Sequence, residues 1–144
     1  MKESHIFKDL KVDHLAFLCR DLQSSSFLNF YTLLSWEVFH EEQISSEGTD
    51  LKLLRSNKEN FQIELISPST PESPLVRSLN NRGEGFHHIC YRVDDLDSTI
   101  ASLTTSGIST LPNYPRIGSR NKKICFLNPR KTGGILVELA QIAD

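Results

Sequence analysis

Two apolar stretches, residues 12–19 and 86–93, are each followed by an Asp-Leu pair and then by a segment of helical periodicity. The stretches predict strands. Asp21 and Asp95 are the predicted N-caps, short carboxylates that accept the free amide hydrogens of a first helical turn. After the second, Leu96, Ile100 and Leu103 recur at i, i+4 and i+7, and Gly107 suits the left-handed position past a helix end. After the first, Phe27, Phe30, Tyr31 and Leu34 give a matching apolar stripe that ends before Ser35. Further strands are predicted over 36–40, 51–54 and 61–66, and again over 125–127 and 134–140. Between the two sets runs Ser67-Pro68-Ser69-Thr70-Pro71-Glu72-Ser73-Pro74, which predicts an irregular joint over about 67–83.

The two sets are copies. His14 and His88, Asp21 and Asp95, Leu22 and Leu96, and Glu64 and Glu138 each stand 74 positions apart, so His to Glu is 50 residues in both halves. Two segments far apart in the chain keep one offset, which is the signature of an internal repeat. Each half reads strand–helix–strands in about 60 residues, too few to bury a stable core alone, so the halves are expected to pair in one sheet system. The expected organisation is a single domain over 1–144, with module one at about 11–68 and module two at about 84–142.

The repeat selects four residues with chemistry: His14, His88, Glu64 and Glu138. Strand side chains alternate faces, so Glu64 shares a face with Gln62 and Ile66 while Ile63 and Leu65 point the other way. Glu138 likewise lies opposite Val137 and Leu139. A carboxylate in an otherwise apolar strand needs a partner where its face is buried. A lone strand histidine is commonly a hydrogen-bonded structural group and a lone strand glutamate a solvated one. A solvated face gives no reason for both to recur in register. Two imidazoles and two carboxylates suit a divalent first-row cation such as Co²⁺, Ni²⁺, Zn²⁺, Mn²⁺ or Fe²⁺, and differ from a thiolate-closed zinc site. His87 is read as structural or as support for His88, and His5 and His40 as solvated.

Composition narrows the classes. The chain has 144 residues, 38% hydrophobic, with 16 Lys+Arg against 18 Asp+Glu for a net charge of −2, which argues against a nucleic-acid partner. No apolar run approaches the ~20 residues of a membrane span, and Met1-Lys2-Glu3-Ser4-His5 lacks the apolar stretch of a secretory signal. Cys19, Cys90 and Cys125 are odd in number and without CxxC spacing, which predicts small buried thiols in a cytoplasmic protein. Arg116, Arg120, Lys122, Lys123, Arg130 and Lys131 form a basic cluster that reads either as a wet loop or as an attractor of a phosphorylated or carboxylated ligand.

Several stretches resemble the vicinal oxygen chelate (glyoxalase/bleomycin resistance) superfamily and, within it, the methylmalonyl-CoA epimerases. They are Asp13-His14, Ser73-Pro74-Leu75, Arg82-Gly83-Glu84-Gly85-Phe86-His87-His88-Ile89, Arg92-Val93-Asp94-Asp95, Lys123-Ile124-Cys125-Phe126-Leu127-Asn128-Pro129 and Lys131-Thr132-Gly133-Gly134-Ile135-Leu136-Val137-Glu138-Leu139. The resemblance runs from about Val12 to Gln141. It implies an α+β fold of two paired βαβββ modules forming a curved sheet around a metal cleft, as a homodimer. It implies a divalent metal held by His14, Glu64, His88 and Glu138, and proton abstraction from an acyl-CoA thioester such as methylmalonyl-CoA through a metal-stabilised enolate. Of the family's two catalytic glutamates, one corresponds to Glu138. The other stands two residues before a glycine resembling Gly48, which lands on Ser46, so Glu47 is the candidate for that role. Three alternatives remain at this stage. They are a glyoxalase-type isomerase acting on a thiol adduct, a non-catalytic ligand-binding or resistance protein of the same fold, and a variant that keeps the metal without turnover.

Overall fold

The computed structural model describes residues 10–142, so His5 lies outside the described residues. Two compact units divide the described residues: one spans His14–His88, and the other joins residues 10–13 to residues 89–142. In chain order the elements are β1 (Lys11–Leu18), α1 (Ser26–Leu33), β2 (Glu37–Ile44), β3 (Thr49–Arg55), β4 (Gln62–Pro68) and α2 (Pro74–Arg82). They continue with β5 (Gly85–Val93), α3 (Leu96–Thr105), β6 (Arg116–Ile117), β7 (Lys123–Phe126) and β8 (Val137–Gln141). The fold class is α+β, and each module is a βαβββ series: its first and last strands pair in parallel and the rest antiparallel.

The strand order is β2-β3-β4-β1 in one module and β6-β7-β8-β5 in the other. The sequence repeat persists at the level of register. Ala16 pairs with Glu64 on β1 and β4, and Cys90 pairs with Glu138 on β5 and β8. Both members of the second pair lie 74 positions after those of the first.

In the unit spanning His14–His88, β4 is buried along nearly its whole length, because helices cover both of its faces. On one face, α1 brings Phe27, Leu28 and Tyr31 against Cys19, Trp36, Leu54, Ile63 and Leu65. On the other, α2 sets Leu75 and Leu79 against Leu18, Leu51, Leu53 and Ile66. In the remaining unit, α3 lays Leu96 and Leu103 on Val93, Cys125, Leu127 and Leu139. There Asp13, buried on β1, meets Arg92 Nε at 3.0 Å and Lys122 Nζ at 3.3 Å.

Four local expectations are corrected. The joint is not irregular over 67–83: residues 74–82 form α2, because Pro74 occupies a first-turn position that needs no amide hydrogen and Ser73 accepts from Leu75 N. The cap of α1 is Ser25, which accepts from Leu28 N; Asp21 instead closes the preceding turn by accepting from Gln23 N and Ser24 Oγ. With the helix starting later, its buried side centres on Phe27, Leu28 and Tyr31, while Phe30 is 55% and Leu34 53% exposed. The last strand begins at Val137 and not at 134, because Gly133 and Gly134 hold φ of 71° and 79°, which no strand accommodates. Asp95 does cap α3, accepting from Ser98 N at 3.1 Å, and Gly107 closes it at φ 86°. Among the described residues, no helix is long and apolar enough to cross a membrane.

Two outcomes follow from this packing. Leu54, fully buried under α1, should cost about 2–5 kcal/mol of stability when replaced by alanine, whereas Leu33→Ala on the exposed side should change it by under ~0.5 kcal/mol, both read by urea denaturation. The three thiols are free and buried, and burial raises the Cys19 thiol and pushes Cys125 up to about 12. Iodoacetamide at mildly alkaline pH should therefore leave all three unmodified in the native protein and label all three in urea, as counted by mass spectrometry.

Candidate metal centre

The site is set by strand register. On β1 and β4, His14 stands opposite Gln62 and Ala16 opposite Glu64, so His14, Gln62 and Glu64 project from one face of the sheet. His88, in the first half of β5, belongs to the same compact unit. Its Nε2 lies 3.2 Å from His14 Nε2 and 3.8 Å from a Glu64 oxygen, and the other Glu64 oxygen is 3.4 Å from His14 Nε2. His14, Glu64 and His88 are 6%, 6% and 3% exposed. Thus His14, Glu64 and His88, all of this unit, meet out of water.

The protonation of this cluster follows from its burial. The His88 imidazole is held well below its usual range, first by burial and then by the neighbouring His14 and His87 rings, so it is neutral. His87, lowered to about 4 by burial and by Arg82, is neutral as well. Its Nδ1 lies 2.7 Å from His88 Nδ1, so it leans onto the ring of its neighbour and does not stand apart on the far face. With the shared hydrogen on His88 Nδ1, the Nε2 of His88 presents a lone pair toward His14 and Glu64, which is how a ligating imidazole is oriented by its other nitrogen.

These residues fit a divalent cation. Donor atoms that each bind one ion at about 2.0–2.2 Å lie roughly 3.0–3.5 Å from each other; the two imidazole nitrogens stand at 3.2 Å, and Glu64 turns one oxygen to each ring at 3.4 and 3.8 Å. The donors are two imidazole nitrogens and a carboxylate, a set that favours first-row divalent ions. Either one imidazole carries its proton on Nε2, or a cation takes that proton's place.

The remaining expected residues are distributed as follows. Glu138 is buried on β8 in the other compact unit, between Cys90 on β5 and Phe126 on β7 in register. Glu47 ends a 3-10 turn between β2 and β3 and is half-buried, whereas Ser46 is exposed. That turn is fixed in place: Gly48 holds φ 61°, accepts from Ser69 N, and has room for no side chain against Ser73. The basic cluster is partly consumed, with Lys122 on Asp13, Lys123 on Asp97, and Arg116 stacked on Tyr114.

Two features of this face were missed. His40 is not a solvated lone residue: its Nε2 lies 3.0 Å from a Glu42 oxygen. Register places His40 opposite Leu53 and Leu53 opposite Glu64, so the His40–Glu42 pair shares the face of the cluster. The signal was present as an i, i+2 spacing in a strand. The second is Gln62, whose Oε1 is buried without a hydrogen-bond partner.

Comparison with known proteins extends this geometry. A model of the Glyoxalase/Bleomycin resistance protein/Dioxygenase superfamily matches residues 13–126. The human mitochondrial methylmalonyl-CoA epimerase is 31% identical over 133 residues, 91% of this chain and 73% of that protein. A solved methylmalonyl-CoA epimerase from Mycobacterium tuberculosis superposes with a TM-score of 0.85 at 29% identity, covering 92% of this chain and 88% of that one. A second solved epimerase, in complex with methylmalonyl-CoA and NH4+, superposes at 0.82 with 31% identity over 92% and 94% of the two chains. On its sequence and its fold, this chain belongs to the Glyoxalase/Bleomycin resistance protein/Dioxygenase superfamily.

Proposed function

We propose that the protein is a divalent-metal-dependent epimerase of an acyl-CoA thioester of the methylmalonyl-CoA type. The observation that carries the reading is the buried meeting of His14, Glu64 and His88, with neutral His88 and a 3.2 Å separation of the two Nε2 atoms. Relatives and solved neighbours named methylmalonyl-CoA epimerase, one of them in complex with methylmalonyl-CoA, support the substrate class. Glu138 is the proposed fourth ligand. It is buried, and it occupies in the second module the register position that Glu64 holds in the first.

A divalent cation held by these residues supplies Lewis-acid polarisation of the substrate's carbonyl oxygens, which acidifies the C–H between them. The chain's own groups handle the proton. Glu138 takes the α-proton on its carboxylate and Glu47 returns one to the opposite face of the carbon, or the reverse, so the centre inverts and no atom is gained or lost. Burial serves this chemistry: with water excluded, the carboxylate's pull on the proton is unscreened. The imidazoles of His14 and His88 hold the ion and leave the two carboxylates as the groups that change protonation.

Purified protein should carry about one divalent ion per chain by elemental analysis. His14→Ala or His88→Ala should weaken that binding by at least about 100-fold, with the melting curve in chelator retained. If unaltered protein binds no ion under any loading, the metal reading fails. Methylmalonyl-CoA in heavy water should exchange its α-proton with metal-loaded protein, followed by nuclear magnetic resonance, and Glu138→Gln should slow exchange about 10²–10⁴-fold. Full metal loading without exchange would turn the reading to a glyoxalase-type isomerase. Tight binding of an aromatic or cationic compound by ion-free protein would turn it to a binding protein.

A further inference from the structure

Gln62 is the one described side chain with a buried nitrogen or oxygen that lacks a hydrogen-bond partner, and the orphan atom is its amide oxygen. A buried acceptor left unpaired is unfavourable, and native proteins tolerate it where something outside the chain completes it. Its position says what that partner is. Gln62 pairs in register with His14 and lies two residues from Glu64, so it shares their face of the sheet. His14 and Glu64 together with His88 form the proposed cation site, and their donor atoms lie 3.2 to 3.8 Å apart. The residue as a whole is only half-buried, so the amide reaches inward with its oxygen although its other end could turn to water.

We propose that Gln62 is a positioning residue of the metal centre: its amide oxygen gains its missing partner only when the cation and the cation's hydration are in place. The inference rests on the metal reading above. A neutral carboxamide oxygen is a hard acceptor, suited to the polarised O–H of water beside a divalent ion, and it adds no charge to a site that already contains carboxylates. In the ion-free protein the same oxygen is a local defect. The geometry therefore couples two properties with opposite signs: Gln62 weakens the ion-free fold and strengthens the ion-bound state.

The test uses the full chain and the variants Gln62→Met, which keeps the length without the oxygen, and Gln62→Glu, which keeps an oxygen. Co²⁺ is the probe, with its affinity read by calorimetry and its coordination by the visible absorption spectrum, alongside thermal melting in chelator. Gln62→Met should melt in chelator at or above the temperature of unaltered protein and bind Co²⁺ about 10–100-fold more weakly with an altered spectrum. Gln62→Glu should retain Co²⁺ binding. Gln62→Met with unchanged Co²⁺ affinity and spectrum would overturn the proposal, as would a lower melting temperature in chelator, which would reveal a partner within the chain. If unaltered protein binds no Co²⁺, the metal reading itself falls, a result distinct from either of these.

Discussion

Two imidazole nitrogens and a carboxylate meet in a spot where none of them has water to turn to, and this constraint governs the His14–His88 unit. Protonating both rings would set two positive charges 3.2 Å apart in a buried volume, so the cluster settles with neutral imidazole and available lone pairs. The strand register then has no freedom. Sliding β1 against β4 by one residue would send His14 to the side packed by α1 and bring Leu15 to the ligand position. The apolar sheet face under α1 and the polar face of the cluster are thus two consequences of a single alignment, and the burial of Ile63 and Leu65 is what holds Glu64 in place.

Duplication explains why the alignment recurs, and the differences between the modules show what each was free to change. Ala16 against Glu64 and Cys90 against Glu138 are the same position seen twice. The helix α2 follows only the first module, where Leu75 and Leu79 cover the end of the sheet face beyond the cluster. In the other compact unit, Asp13 is a buried carboxylate held between Arg92 and Lys122, one residue before His14 in the chain. An ion pair of this kind is sensitive to losing one partner, so its value lies in fixing the start of β1 more than in net stability.

The repeat was legible because a fixed offset survives divergence of the intervening residues, and it singled out His14, Glu64, His88 and Glu138 without reference to packing. Asp95 and Gly107 were legible for a local reason: their roles depend only on backbone geometry within one turn. What failed was decided at longer range. Asp21 and Ser25 are both good caps, and the choice fell to Ser25 because Phe27, Leu28 and Tyr31 then meet Trp36 and Leu65. The Pro/Ser stretch concealed α2, since Ser73-Pro74 reads equally as a turn or as a helix start, and only the two buried leucines distinguish them. The His40–Glu42 pair was invisible as a site feature because its membership depends on the pairing of β2 with β3, bulge included.

The polar groups of the first module are concentrated, and this is what gives its sheet face a direction. At one end stand His14, Gln62 and Glu64, with His40 one strand beyond Leu53; at the other, Leu18, Leu51 and Ile66 lie beneath Leu75 and Leu79. The helix therefore does more than cover apolar surface. By closing the apolar end it denies water an approach from that side, and charge–charge and charge–dipole terms at the polar end act through a medium of lower effective dielectric. Two carboxylates among the proposed ligands carry the charge that compensates a divalent ion. The direction of His14 and Glu64 among those donors is fixed by the register of β1 on β4, and the apolar end of the same face is closed by α2, a helix that Ser73 and Pro74 start inside the stretch whose composition predicted an irregular joint.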